Sequence, residues 1–363
     1  FDSTHFDKAA YPAKISLVNR TPKVPNGSQS VTVSADIVDN DGSVASATLY
    51  YSDNPLATPA TFSSVAMTNS GSIYSATIPA FPLNTVVRYF IEAVDDSANV
   101  STSPGGNNFY FYTVRANGMT IMDIQTVLPG SNGDSPYAGD TVTVTGIVTS
   151  SYQPDDLGYL YVQDPNAIEY GAVLVDGGGT AVFGLNRGQE VTITGIVVEQ
   201  FGYTKMDALT VTATGGTGVV NPIVLNPSDT NFFTSANRGN LEKYECMLLR
   251  YENPMAGGKL NIINPNLGFG EFTVGSGVSA TTDARVLASR QSGTQAQSSL
   301  NVSVTADSAL YASGLNVAAV QAKTTQTMDA LVGQLYYSFS NYKLTPRNNA
   351  DFIGFSEPLV AIE

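Results

Sequence analysis

Thr141-Val142-Thr143-Val144-Thr145-Gly146-Ile147-Val148 alternates polar and apolar residues with a period of two, and most of them are β-branched. Successive side chains of an extended chain point to opposite faces, so this segment predicts a strand with one buried side and one solvent-facing side. The same pattern recurs at Val31-Thr32-Val33-Ser34-Ala35-Asp36-Ile37 and at Val191-Thr192-Ile193-Thr194. Helical periodicity is brief. Thr120 reads as an N-cap ahead of Ile121-Met122-Asp123-Ile124, and a second short turn is expected near Asn240-Leu241-Glu242. Neither can organise a helical core, so the chain is predicted to be all-β.

Upstream of that stretch, residues 1–115 carry strand-like runs at 14–18, 31–38, 46–51, 72–78, 86–94 and 109–114, separated by turn clusters such as Asp39-Asn40-Asp41-Gly42. That spacing predicts a seven-stranded sandwich. The runs Tyr74-Ser75-Ala76-Thr77-Ile78-Pro79 and Val87-Arg88-Tyr89-Phe90-Ile91-Glu92-Ala93-Val94-Asp95-Asp96 resemble bacterial immunoglobulin-like or fibronectin-III-like modules.

Downstream, the pattern repeats. Gly139-Asp140-Thr141 through Val148 is echoed by Gly188-Gln189-Glu190 through Val197, and again at Leu331-Val332-Gly333-Gln334-Leu335. Phe201, Lys205 and Met206 have counterparts in Phe339, Lys343 and Leu344 at one common offset. Two related β-barrels are expected, at 116–232 and 233–356, followed by a tail at 357–363. A glycine inside a strand weakens it by ~0.5–1 kcal/mol relative to alanine, so Gly146, Gly195 and Gly333 need a geometric reason, and a sharp bend supplies one. With these glycines, Tyr161-Val162-Gln163-Asp164, Tyr244-Glu245-Cys246-Met247-Leu248-Leu249-Arg250 and Tyr336-Tyr337-Ser338-Phe339-Ser340-Asn341-Tyr342-Lys343 look like the tandem OB-fold-like region of secreted bacterial proteins, some of them nuclease-associated. In type IX-secreted proteins a similar region is often followed by a cleaved secretion signal. The resemblance implies an extracellular or cell-surface location.

Composition removes most enzyme classes. The 363 residues hold one Cys and one His, which excludes a disulfide framework, a Cys/His zinc site and, His5 aside, a His-dependent triad. Charged residues are only 13%, and the net charge is −14 with a pI near 4.4, a field that repels phosphate backbones and anionic membranes and favours cations. No run of 18 apolar residues exists, so membrane insertion is not expected.

Three constellations remain. Asp39, Asp41, Asp95 and Asp96 place carboxylates in two sandwich loops, where hard oxygen ligands suit Ca²⁺ and where the same residue types also serve tight turns. Tyr159, Tyr161, Phe201, Tyr203, Lys205, Tyr336, Phe339, Tyr342, Lys343 and Arg347 offer a stacking platform for bases or sugars, or alternatively fill barrel cores. Residues 116–232 carry two basic against twelve acidic side chains, a poor funnel for phosphates. Phe1, Phe6 and Tyr11 give the N-terminal segment an apolar tint suited to docking on another copy. Carboxylate pairs such as Asp155-Asp156 carry no supporting catalytic motif, and Cys246 lies in an apolar run. The expectation is a secreted, non-enzymatic structural protein that self-associates into a filament, sheath or layer. The alternative is an extracellular binding module for nucleic acid or glycan.

Overall fold

Among the described residues the alternating β-branched runs form strands and the helices are short, and the protein is all-β. The computed structural model describes residues 11–106, 108–116, 118–127, 134–153, 156–225, 238–268, 271–276, 284–287, 324 and 326–355. Two compact units divide the chain. The first comprises Phe1–Met119 and Val127–Pro136, the second Thr120–Thr126 and Tyr137–Glu363.

The first unit contains β1 (Lys14–Thr21), β2 (Val31–Val38), β3 (Val44–Ser52), β4 (Ser63–Ala66), β5 (Thr68–Ser70), β6 (Ile73–Ile78), β7 (Val86–Asp95), β8 (Val100–Ser103) and β9 (Tyr110–Thr113). One sheet runs β1-β2-β6-β5; the other runs β4-β3-β7-β8, with β9 also on β7. Period two fills the space between them. Val31, Val33, Ala35 and Ile37 of β2 share one core with Leu49 of β3 and Val87, Tyr89, Ile91 and Ala93 of β7. The seven-stranded expectation missed β4, β5 and β8, which are short and mostly exposed, and whose extension is set by the partner strand rather than by their own pattern.

β7 is buried on both faces, and this brings Arg88 inside. Its guanidinium lies over the rings of Phe62 and Phe109, at 5.4 and 5.0 Å, and donates to the carbonyls of Asn54 and Ala57. A cation buried this way is held by ring quadrupoles and carbonyl dipoles, and it ties the loop before β4 to the sheet.

The second unit opens with α1 (Ile121–Gln125), where Thr120 and Asp123 form the reciprocal capping box that satisfies two backbone donors. β10 (Thr141–Ser150), β11 (Leu160–Gln163), β12 (Ala172–Gly177), β13 (Gln189–Glu199) and β14 (Thr204–Thr217) close a barrel in the order β10-β11-β12-β14-β13, with β12 and β14 parallel. Val142, Val144, Val191 and Ile193 are buried, while Thr143, Thr145, Thr192 and Thr194 face outward and pair across β10 and β13 through their hydroxyls.

The chain continues through β15 (Ile223–Leu225), α2 (Arg238–Glu242), β16 (Leu248–Glu252), β17 (Leu260–Gly268), β18 (Glu271–Gly275), β19 (Ala284–Leu287), β20 (Thr327–Met328), β21 (Ala330–Ser338), β22 (Asn341–Thr345) and β23 (Phe352–Ile353). They form one sheet, β15-β16-β21-β22-β19-β18-β17-β20, with β23 on β21. Within it, β17, β18, β19, β22 and β21 repeat the neighbour order of the barrel, including a parallel pair, β19 with β22.

Two of the strand glycines have direct reasons. A Cβ on Gly195 would stand 2.6 Å from the Asp207 carbonyl oxygen, and one on Gly333 would stand 2.9 Å from the Thr345 carbonyl carbon. In each case the added atom would meet backbone that cannot move aside. A single apolar core runs through both copies: Tyr161, Leu174 and Tyr203 pack with Met247, Leu249, Tyr251, Phe272, Leu335 and Tyr342. β11 and β12 are therefore covered on both faces, and Leu160-Tyr161-Val162 is apolar without alternation.

Candidate ligand-binding groove

The turn that joins β13 to β14 is Phe201-Gly202. Gln200 and Tyr203 exchange backbone hydrogen bonds across it (3.0 and 3.2 Å), and both central residues have positive φ, 56° and 76°. Phe339-Ser340 joins β21 to β22 in the same way, with φ of 48° and 60°. Two-residue hairpins of type I′ have positive φ at both central positions, a twist that matches the flanking strands, and Asn-Gly is the usual solution. Phenylalanine is an uncommon one. Both rings stand in solvent, each 92% exposed.

Both tips border one cavity of about 680 Å³ within the second unit. Leu174, Tyr203 and Tyr337 are buried and form its floor, Tyr159 and Tyr336 are half-buried, and Phe201 and Phe339 stand at the rim. Tyr203 and Tyr336 meet edge to face at 5.3 Å, so one aromatic wall is shared between the two copies of the fold. The Tyr203 hydroxyl donates to the Tyr161 hydroxyl at 3.2 Å, and the Cys246 thiol lies 3.0 Å from it. These contacts fix the ring from behind.

Asp176, Gln200, Lys205, Ser338 and Ser340 supply the polar part of the lining. Lys205 Nζ lies 2.7 Å from Asp176 and 3.2 Å from Asp207. Burial alone would lower the ammonium; the two carboxylates outweigh it and hold the pKa above the ordinary lysine value. Lys205 is thus charged and already neutralised.

Behind the groove lies a carboxylate cluster that the sequence reading passed over. Glu245 is buried; it accepts from the Thr204 backbone N–H at 2.9 Å and from the Tyr342 hydroxyl at 3.4 Å. The same hydroxyl donates to Glu242 at 2.9 Å, and the Thr204 hydroxyl to Glu199 at 2.6 Å. Burial, then the Glu242 charge, push the Glu245 carboxyl well above the usual carboxylate range. Its signal was visible as a charge inside the apolar run Tyr244–Leu249.

Six of the ten residues singled out as a stacking platform line the groove: Tyr159, Phe201, Tyr203, Lys205, Tyr336 and Phe339. The other four do not. Tyr161 and Tyr342 are buried in the shared core. Lys343 is buried against Glu271 at 2.5 Å, and Arg347 grips Asp351 and the Thr149 carbonyl. Their polar ends need internal partners because burial removes water. Leu174, Asp176, Gln200, Tyr337, Ser338 and Ser340 were not anticipated; only the strand order brings them to this place.

The acidic loops of the first unit are occupied by turn chemistry. Asp95 accepts from the backbone of Ser97 and Asn99 and from the Asn99 side chain, and Asp96 from Ser43. Asp39 accepts from the Asp41 backbone, and Asp41 from the Tyr11 backbone. Among the described residues no group of three or more His, Cys, Asp or Glu is arranged to hold a metal ion. Phe1 and Phe6, the N-terminal docking candidates, and His5 lie outside the described residues, while the Tyr11 side chain is exposed. Asp155 and the tail at 357–363 also lie outside them. Among the described residues no helix is long and apolar enough to cross a membrane.

No family model matches the chain, and no curated protein does. One of the solved structures that align with it is an uncharacterized protein of Listeria monocytogenes in complex with alpha-D-glucose, beta-D-glucose, magnesium and calcium. The alignment has 13% identity and a TM-score of 0.21, and covers 68% of this chain and 22% of that one. The chain thus spans about a fifth of that protein's length, and a likeness at this level carries no assignment.

Proposed function

We propose that this chain is a non-catalytic extracellular binding protein whose ligand lies in the groove between the two Phe-tipped hairpins. The observation that carries this reading is the placement of Phe201 and Phe339, both exposed and both in a backbone conformation unfavourable to phenylalanine, on the rim of one cavity. Strain that recurs at a surface site where the ring returns little packing energy points to a role outside the fold.

The fold reading that accompanies it is an immunoglobulin-like sandwich followed by two OB-like barrels. In its support, the closed barrel's strand order is first-second-third-fifth-fourth, with third and fifth parallel. Five-stranded Greek-key barrels of that kind bind oligomeric ligands on the face of their second and third strands, flanked by the loop between the first and second strands and the loop between the fourth and fifth. Here the latter loop is the Phe201 hairpin, and its counterpart is the Phe339 hairpin. The cavity volume lies within the ~300–1,000 Å³ span of small-ligand sites. Support for a binding role over a catalytic one comes from Asp176, the one carboxylate among the described lining residues, which is held in an ion pair with Lys205.

The test is a thermal-shift screen of wild-type protein and of a Phe201→Asn/Phe339→Asn double variant against neutral polysaccharides, single-stranded DNA and peptide pools. At least one class should stabilise the wild type and leave the double variant unmoved. A screen in which no class distinguishes the two proteins refutes the reading. The second reading, a self-associating polymer subunit, draws on the exposed Tyr11 ring; a wild type and a variant lacking residues 1–12 that are equally monodisperse in electron micrographs would remove it.

A further inference from the structure

The geometry points to a neutral glycan chain as the occupant of the groove, a conclusion that rests on the binding reading above and narrows it to one ligand class. Two classes suit an aromatic groove on such barrels, single-stranded nucleic acid and oligosaccharide, and they make opposite electrostatic demands.

A nucleic acid brings one negative charge per nucleotide, and its affinity comes largely from cations that replace its counterions. Among the described lining residues the groove's one cation, Lys205, is already paired. Lys205 is held between Asp176 and Asp207 at 2.7 and 3.2 Å. Its counterpart Lys343 is buried against Glu271, which Arg285 also contacts at 3.0 Å. A phosphate entering here would meet the Asp176 carboxylate together with the ammonium it neutralises. The acidic excess of residues 116–232 adds to that repulsion at longer range.

A neutral sugar chain meets none of these costs, and each feature of the lining has a use for it. Pyranose rings carry a C–H face, which is attracted to the electron-rich face of an aromatic ring, and an edge of hydroxyls that both donate and accept. Phe201 and Phe339 offer exposed rings at the rim. Asp176 as acceptor, Lys205 as donor, and Gln200, Ser338 and Ser340 as both supply fixed partners for hydroxyls. An ion pair suits this task because its two ends already lie within hydrogen-bond reach of adjacent hydroxyls, and the pair persists when the ligand leaves. Because both tips border one cavity, a chain of several rings can touch Phe201 with one ring and Phe339 with another.

The experiment is affinity electrophoresis and calorimetry of the full chain against dextran, mannan, xylan, laminarin and hydroxyethyl cellulose, with the oligonucleotide dT30 alongside, at 50 and 500 mM NaCl. Three proteins are compared: wild type, Phe201→Asn and Phe339→Asn. Asparagine tolerates the left-handed backbone of the tips, so the variants keep the fold, and circular dichroism checks that they do. At least one polysaccharide should bind the wild type with affinity changed less than about twofold between the two salts, and each single variant should weaken it about tenfold, the scale of one lost aromatic stack. Binding of dT30 that each variant abolishes, with no polysaccharide retained, overturns the glycan assignment and leaves the groove reading standing. Polysaccharide binding that both variants leave intact places the sugar elsewhere and also overturns the assignment. Absence of every binder overturns the groove reading and the assignment with it.

Discussion

Phe201→Asn should make the protein more stable and its groove weaker. A side chain with a Cβ in the left-handed region costs about 1–2 kcal/mol, a penalty that asparagine reduces because its short amide bonds the local backbone. Phe201 sits at φ 56° and is followed by Gly202 at 76°, so the substitution creates the Asn-Gly dipeptide that type I′ turns favour. Little is lost in return. Full burial of a phenylalanine is worth about 1.5–3 kcal/mol, and a ring 92% exposed retains ~0.2 kcal/mol of that. The expected net gain is ~0.5–1.5 kcal/mol, or about 1–6 °C in Tm for a unit of this size. Phe339→Asn should gain less, because Lys343 Nζ lies 5.5 Å from the Phe339 ring centroid and that cation–π contact, worth ~0.5–1 kcal/mol, disappears. Differential scanning calorimetry of ligand-free protein at fixed pH and salt measures both. A loss of more than about 0.5 kcal/mol for Phe201→Asn would mean that the ring packs on something that holds the fold together, and the strain argument for the groove would fail with it.

Three further outcomes follow from the same geometry. Gly195→Ala should destabilise the second unit by about 1–3 kcal/mol, because its Cβ would meet the Asp207 carbonyl oxygen at 2.6 Å, whereas Gly184→Ala, with no atom within 4 Å of its Cβ, should be near neutral in the same urea melt. The Glu245 carboxyl has its folded pKa raised above the unfolded 4.5, so native protein holds a proton that unfolded protein has released; this contribution is full below about pH 4.5 and is lost as pH rises toward the folded value. Glu245→Gln removes that loss, so the variant's advantage over wild type should grow with pH above 4.5, by up to ~1.4 kcal/mol per unit, and parallel stability profiles would refute the assignment. Arg88→Ala should cost the first unit about 2–3 kcal/mol by leaving the Asn54 and Ala57 carbonyls without their donor, and should expose the loop before β4 to limited proteolysis; an unchanged digestion pattern would show that the loop is held by other contacts.

How far the sequence could be read depended on whether a residue's role was local. Period-two runs such as Val31–Val38 and Thr141–Val148 announce strands because alternation is itself the physical requirement of a half-buried sheet, and the capping box at Thr120 and Asp123 is likewise complete within four residues. Ser63–Ala66 and Thr68–Ser70 carry no such signature; they are strands because β3 and β6 offer them partners. The groove divides along the same line. Aromatic character alone marked Phe201, Tyr203 and Phe339, whereas Asp176 and Leu174 reach the site only because β12 lies parallel to β14, a pairing between strands far apart in sequence. Lys343 misled for the converse reason: a lysine beside exposed aromatics reads as a surface cation until Glu271, 72 residues away, is seen to bury it.

The repeated strand order places a hairpin at both positions but does not by itself dictate the residue at its tip. The neighbours of the two tips differ. Relative to the common offset, Gln200 corresponds to Ser338, Gly202 to Ser340, Tyr203 to Asn341 and Thr204 to Tyr342. Even the shared lysine has changed its circumstances, from a partly exposed ion pair with Asp176 to a buried one with Glu271. Phenylalanine nonetheless stands at the first turn position in both, where the backbone disfavours it and where it is almost wholly in water. Among the described residues packing returns little for it: the Phe201 ring is almost wholly exposed, and the Phe339 ring gains the Lys343 ammonium 5.5 Å from its centroid. The proposed ligand, lying across both tips, gives both rings a use, because it would cover the two at once and convert their exposure into binding energy.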